Sequence, residues 1–485
     1  MDLQGPFAGS RTPLLVLIVL LVIGASTRLH GLEVQSLWND ELSHWGKSNH
    51  PTVSQVIEKG AKRDRHPLGY RLLLHGVIRH LGDSPTLLRL PSALAGILSI
   101  ALIFWLGLAL FSWREGLLAA GLLTGSWTAL FYGQEATPYS VLLMLSMLSF
   151  LAAWKLAMQL QGGSMPAAMA VVYVLTAAVT CHTHYYGVLL IGLQLAGLAL
   201  ITLKQPRKLA VVMTCALAIA LLFAPWVPFL LDQLAIERSG GFPDPNLLLA
   251  WQVMVFLNHG SVVAAVAALI LLAYVVVSRT HGDQPAAILA KQALLAWLLL
   301  PSLLLFAVAL LYKPMLADRH FMIVLPAMVL LLARALALLI PGRWVPLAAL
   351  ALCAALLAEL VLSRDYYSRL TRQQFRQAAV LMDQYARQHP GALVLAYAWS
   401  GSYLNYYLER LGSESRVRHA GLGHERQLPQ VDRLIDRADP KQIIYVSAHR
   451  RPRLAFLQGL EQRATLLQEH ILLGATVRLY ERPGE

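Results

Sequence analysis

Apolar residues run along the first three quarters of the chain in stretches of about 20, the length at which a helix crosses a hydrocarbon core. The runs fall roughly at 13–29, 86–111, 116–132, 138–158, 167–182, 186–203, 208–230, 260–278, 293–312, 320–340 and 344–362 and predict about eleven membrane-spanning helices. A long polar interruption, residues 30–85, follows the first run. Within it Val53, Val56, Ile57 and Ala61 recur at helical spacing, as do Leu74, Val77, Ile78 and Leu81. Pro51 and Pro67 stand near the expected starts, so two amphipathic helices at the membrane interface are predicted. After residue 363 the pattern changes. Helical periodicity near 371–388 and 401–411 alternates with strand-like runs at 393–397, 443–446 and 476–480. This predicts a membrane domain over 1–363 and a small soluble α/β domain over 364–485.

Composition agrees: of 485 residues 57% are hydrophobic and only 14% charged. Arg11 precedes an apolar run ending in Gly24-Ala25-Ser26, as in a signal peptide, but the many later spans predict a retained anchor. The net charge of +13 is scattered among membrane-flanking segments and the tail, which excludes a nucleic-acid-binding arm and favours anionic lipid or phosphate as partner. Cys181, Cys215 and Cys353 fall in predicted spans and form no disulfide framework.

Short basic loops carrying Arg11, Arg114, Lys155, Lys204, Arg207, Lys208, Arg279 and Arg343 mark one side as cytoplasmic. The opposite face then receives segment 30–85, the junctions at Gly133-Gln134-Glu135 and His182-Thr183-His184, a loop over 231–259, the loop from Lys313 to Arg319, and the tail. Nearly all unusual polar residues are therefore expected on one side.

Asp40 and Glu41 lie just past the first span. A carboxylate there suits a general base for an acceptor hydroxyl, and equally suits the first turn of an interfacial helix. Glu135 has the same two readings, one chemical and one as a helix-end carboxylate. Arg319 before a span has the form of a phosphate ligand or of a snorkelling arginine. His182 and His184, two apart, cannot share one helix face, which argues against a metal site there.

Six stretches, SLWNDELSHW at 36–45, HPLGYRLLLH at 66–75, LGDSPTLLRLPSALAG at 81–96, FYGQEATPYSVLLMLSMLS at 131–149, THYYG at 183–187 and DRHFMIVLPAMVLLLA at 318–333, occur in this order. As a set they resemble the GT-C membrane glycosyltransferases of the protein O-mannosyltransferase and lipid A aminoarabinose transferase (ArnT-like) type. The resemblance implies a polytopic helical fold and a catalytic base at Asp40, with Glu41 beside it contacting substrate. Glu135 is implied as a second catalytic carboxylate that orients the acceptor or holds a metal. Arg63, Arg65, His66, His184 and Arg319 are the candidates for meeting the charge of a polyprenyl-phosphate leaving group, with Tyr139 and Tyr185 lining the same site. Three departures stand out: Thr137 replaces the arginine of the usual Arg-Pro-Tyr, His66-Pro67-Leu68 shortens His-Pro-Pro-Leu, and His320 stands where an aromatic residue follows the arginine. Arg89 is expected to be structural or to contact the donor phosphate, with the structural role favoured.

The implied activity is inverting transfer of a sugar from a polyprenyl-phosphate donor to a hydroxyl of a lipid, glycan or protein. The implied setting is the outer face of a bacterial inner membrane, with the tail in the periplasm. The alternatives are a flippase or transporter of lipid-linked sugars and a surface-polysaccharide polymerase or ligase. A flippase calls for ionisable residues at mid-span, and the spans here are nearly free of them: Arg334 lies toward the inner end of its helix and Glu359 toward the outer end. No cofactor is required by the sequence. A divalent cation, Mg2+ or Mn2+, is left open because no metal motif of firm spacing is present.

Overall fold

Each apolar run of spanning length forms helix in the computed structural model, which describes residues 11–62, 64, 66–162, 166–235, 243–278, 284–312 and 316–483. Among these, eight helices are long and apolar enough to cross a membrane: Thr12–Leu29, Pro85–Leu110, Tyr139–Gln161, Tyr185–Thr202, Pro206–Leu234, Pro285–Leu311, Asp318–Leu339 and Gly342–Ser363. The chain is a multi-pass membrane protein. The other expected spans take different forms. One is broken at Ser126 into Trp113–Gly125 and Trp127–Gly133, and one, Ala167–Thr183, is short.

The third is a correction. The expected loop over 231–259 is largely helical, with Val227–Ala235 and Leu247–Leu257, and the latter joins Val262–Val277 through a 92° bend. The run Leu247–Leu257 is apolar except for Gln252, but eleven residues fall short of a span, so length hid it. The bend has a clear cause, because His259 and Gly260 both sit at φ 64° in the left-handed region. His259 is fixed there by its side chain: Nδ1 accepts the Trp127 N–H at 3.0 Å, and Nε2 meets Glu359 at 2.9 Å. Arg364 donates from Nε to the other Glu359 oxygen at 2.7 Å. Two helix breaks thus satisfy each other's polar groups, as apolar surroundings demand. Arg334 likewise pairs with buried Glu115 at 2.7 Å.

By contacts the chain divides into two units. One holds the described part of Met1–His30 together with His50–Tyr366; the other joins Gly31–Asn49 to Tyr367–Glu485. The segment expected over 30–85 is therefore shared between them. In the membrane unit the two amphipathic elements form as Val53–Gln55, continuing as a π-helix Val56–Ala61, and Gly69–His80.

In the second unit a four-stranded sheet has strands β1 (Leu393–Tyr397), β2 (Gln442–Ala448), β3 (Thr465–Leu472) and β4 (Ala475–Glu481) in the order β1-β2-β4-β3. β1 pairs parallel to β2, which the helices Ser402–Arg410 and Leu428–Ala438 between them allow, and the remaining pairs are antiparallel. Leu395, Ile443, Tyr445, Phe456, Leu460 and Tyr480 form its core. The sequence pattern anticipated three strands and missed β3, whose side chains are nearly all exposed and so show no apolar alternation.

Candidate functional site

Polar side chains in the membrane unit gather where several helices begin. His184 lies between Ala167–Thr183 and Tyr185–Thr202 with an extended backbone, and as N-cap of the second helix its Nδ1 accepts the Tyr186 N–H at 3.2 Å. That bond sets the tautomer, because a neutral ring with Nδ1 accepting carries its proton on Nε2. Nε2 is buried, and among the described residues nothing accepts a hydrogen bond from it.

Around this ring stand His66, at 5.1 Å between ring centroids, Tyr186 at 4.6 Å and Tyr139 at 5.7 Å. Tyr186 contacts His320 at 4.9 Å, and Arg319 donates from Nε to the Tyr139 hydroxyl at 3.2 Å. Tyr139 opens the helix Tyr139–Gln161, and Arg319 and His320 open the turn Asp318–Val324 that leads into Leu325–Leu339. His320 Nδ1 accepts the Ala317 N–H and so caps that turn. Helix starts carry partial positive charge, so their convergence with Arg319 favours an anion. Thr137 stands where the resembled proteins have a cation, and the Arg319 guanidinium is placed two residues along, at Tyr139.

Close backbone approach brings His66 here. A Cβ on Gly69 would lie 2.6 Å from the His182 carbonyl oxygen, so only glycine lets the helix Gly69–His80 start against the end of Ala167–Thr183. His66 is oriented by Asp64, whose Oδ2 lies 3.3 Å from Nδ1 and also pairs with the fully buried Arg71. Removing one partner of a buried pair strands a charge, at a cost of about 3–5 kcal/mol. Asp64→Ala is accordingly expected to lower the melting temperature of the detergent-solubilised protein by several degrees; an unchanged melting curve would refute the pairing.

Burial, reinforced by His66, His320 and Arg319, holds the His184 pKa well below the usual histidine range. The unfolded chain binds a proton near pH 6.5 that the folded chain refuses. The His184 contribution to stability is therefore complete above pH 6.5 and declines as pH falls from there toward the folded pKa. Melting curves between pH 7.5 and 5.5 should show a shallower acid slope for His184→Gln than for wild type, and equal slopes would contradict the assignment.

Glu135 is fully buried in the segment between Trp127–Gly133 and Tyr139–Gln161. Tyr132 feels its charge together with those of Asp318 and Arg319, which puts Glu135 at the edge of the same cluster. Tyr185 points elsewhere. Its hydroxyl donates to Gln233 and accepts from Trp226 Nε1 at 2.9 Å, while Gln233 donates to the Ala61 carbonyl at 2.9 Å. His182 hydrogen-bonds with the Leu222 carbonyl at 3.1 Å. Arg89 is buried within its helix, and Arg63 and Arg65 lie outside the described residues.

Asp40 and Glu41 belong to the second unit. They occupy the first turn of the helix Asn39–Ser48, where acidic side chains complement the dipole. The capping role falls to Glu41, whose Oε2 accepts the Trp38 N–H at 3.2 Å while Oε1 lies 3.4 Å from Arg372. Glu41 is fully buried, which fits anchorage rather than the expected substrate contact. Asp40 is half-buried and accepts from Asn39 Nδ2 at 3.2 Å. The loop is fastened to the tail by the Leu37 N–H on Tyr407 (2.6 Å), the Asn39 N–H on Gln373 (3.1 Å) and Ser36 on Gln377 (2.9 Å). Sequence reasoning missed these tail partners, along with Asp64 and Arg71. Arg71 did carry a signal, since a charged residue three before Leu74 lies on the apolar stripe of its helix.

Among the described residues no group of three or more His, Cys, Asp or Glu is arranged to hold a metal ion.

An apolar cavity of about 290 Å³ lies on the helices that begin at Tyr139 and Tyr185 and on Pro285–Leu311, lined by Phe150, Trp154, Leu190, Leu193, Trp297 and Leu300. It stands further along the helices whose starts hold Tyr139 and His184.

No protein-family profile matches this sequence, and no curated protein is significantly similar to it. Solved structures are similar in fold. ArnT from Cupriavidus metallidurans in the apo state superimposes with a TM-score of 0.61 at 12% identity, over 96% of this chain and 97% of that one. The same protein bound to undecaprenyl phosphate gives 0.59 at 14% identity, over 96% and 97%. The Archaeoglobus fulgidus oligosaccharyltransferase in complex with zinc and sulfate gives 0.51 at 13% identity, over 89% and 67%. At these identities the likeness speaks for the fold, and nearly the whole chain shares it: this protein has the GT-C fold, a multi-pass helical membrane body followed by a small C-terminal sheet.

Proposed function

We propose that the protein is a membrane glycosyltransferase that moves a sugar from a polyprenyl-phosphate donor to a hydroxyl of a lipid, glycan or protein acceptor, on the outer face of a bacterial inner membrane. The observation that carries this reading is an anion-seeking cluster at the starts of two helices, Tyr139–Gln161 and Tyr185–Thr202, that line an apolar cavity further along their length. His184 Nε2–H, Arg319 and His66 match a phosphate, and the cavity lined by Trp154, Leu190 and Trp297 matches an isoprenoid tail. The fold neighbour from Cupriavidus metallidurans with undecaprenyl phosphate bound supports the same donor class.

In the proposed reaction the acceptor oxygen attacks the anomeric carbon as the bond from that carbon to the phosphate oxygen breaks. Asp40 takes the acceptor proton, the polyprenyl phosphate leaves with the electron pair, and Arg319 and His184 meet the charge that develops on it. A single displacement inverts the anomeric centre. Glu135, buried at the edge of the cluster, orients the reacting groups.

The flippase alternative needs mobile charges along the spans. Glu359 is engaged with His259 and Arg364, and Arg334 with Glu115, which favours static packing over a path. The direct test is equilibrium binding of undecaprenyl phosphate against undecaprenol to the purified protein in detergent. The phosphate is expected to dominate affinity, and equal binding of the two lipids would contradict the donor assignment.

A further inference from the structure

The second unit contains a basic recess that the reaction above leaves unused. It encloses about 330 Å³ between the end of β2, the segment His449-Arg450-Arg451-Pro452 and strand β4. Arg450, Arg451 and Arg478 line it together with His449, Ser447 and Thr476, and none of its lining residues is a carboxylate. Among the described residues no carboxylate pairs with Arg450 or Arg451, and neighbouring like charges are maintained at a cost unless an anion joins them.

Two of the arginines, Arg450 and Arg478, are held in position. The Arg450 guanidinium lies 3.6 Å from the centroid of the exposed Trp399 ring, a stacking that leaves its edge N–H groups free to form a fork. Arg478 pairs through Nη2 with Glu469 at 2.7 Å, but its Nη1 is buried without a hydrogen-bond partner. A charged donor left unsatisfied is costly, so this atom too points to an absent acceptor. His449 is pinned at φ 64° by its N–H on the Gly474 carbonyl at 2.8 Å.

The recess is also wired to the acidic loop within the same unit. Gln373 donates to His449 Nδ1 at 2.7 Å and accepts the Asn39 N–H at 3.1 Å, one residue from Asp40. The Asp40 charge is felt at His449. A group seated in the recess is thereby one side chain away from the segment that carries the proposed base.

We propose that this recess is an acceptor-recognition site for an anionic group, a phosphate or carboxylate carried on a sugar. The proposal rests on the glycosyltransfer reading for the word acceptor, while the binding site itself does not. Two arginine forks and a spare Arg478 N–H match the several oxygens of such a group, and Ser447 and Thr476 add hydroxyls for the sugar.

The test is saturation-transfer NMR on the full-length protein in detergent, titrated with glucose 6-phosphate, glucuronate, glucose and inorganic phosphate. At least one of the two charged sugars is expected to bind saturably, more tightly than inorganic phosphate, and glucose is not. Arg450→Gln combined with Arg451→Gln should weaken that binding at least tenfold. Arg433→Gln combined with Arg437→Gln, on an exposed helix elsewhere, should change it less than twofold. Equal binding of glucose, inorganic phosphate matching the charged sugars, or undiminished binding in the Arg450 and Arg451 double variant would each overturn the proposal. A protein that binds the charged sugar but transfers nothing in any donor assay would keep the recess and overturn the transfer reading instead.

Discussion

Asp40→Asn is expected to reduce sugar transfer by about 10²–10⁴-fold, the range for loss of a positioned general base, while leaving folding and donor affinity unchanged. The substitution keeps the shape of the side chain and removes only its ability to take a proton. Folding should survive because the local anchor is Glu41, which caps Trp38 and meets Arg372, while Asp40 is only half-buried beside Asn39. Glu41→Gln would give the opposite signature, with loss of stability and a modest effect on the chemical step. Glu135→Gln is expected to lower turnover less than Asp40→Asn. Stopped or single-turnover assays with a donor pool, together with melting curves, separate these cases. Near-normal turnover in Asp40→Asn would remove Asp40 from the mechanism.

Arg319→Ala is expected to weaken undecaprenyl phosphate binding by roughly 10–100-fold, because a charged hydrogen bond contributes about 1.5–3 kcal/mol. Its position supports this magnitude: the half-buried guanidinium is held on the Tyr139 hydroxyl, whose ring lies beside the buried His184 ring. His184→Ala removes a neutral donor and should cost less. Neither change should affect binding of undecaprenol, which lacks the phosphate. Isothermal titration with the two lipids measures both, and unchanged phosphate affinity in Arg319→Ala would make it a structural arginine.

The helices of the membrane body were legible because hydrophobic runs need nothing but length to declare themselves. Where a helix was short and sharply bent, as at Leu247–Leu257 before His259, length misled and the left-handed pair at the bend had no local signature. The site was partly legible. His66, His184, Tyr139 and Arg319 come together, because each sits at the start of an element on one side of the body. Tyr185, next to His184 in sequence, faces away, since adjacent residues on a helix point about 100° apart. The pairing of Asp64 with Arg71 and of Glu41 with Arg372 was invisible, the second because its partners are 331 residues apart. The recess around Arg450 was equally hidden, since it forms only when β2 and β4 pair.

The central claim is that the chain transfers a sugar with Asp40 as base. The most direct measurement is mass spectrometry of lipids and surface glycans from cells lacking the protein, complemented with wild type or with Asp40→Asn. The account predicts that one defined sugar disappears from one acceptor on deletion, returns with wild type, and stays absent with Asp40→Asn although that variant is present in the membrane. Full restoration by Asp40→Asn would contradict it and point to transport or scaffolding.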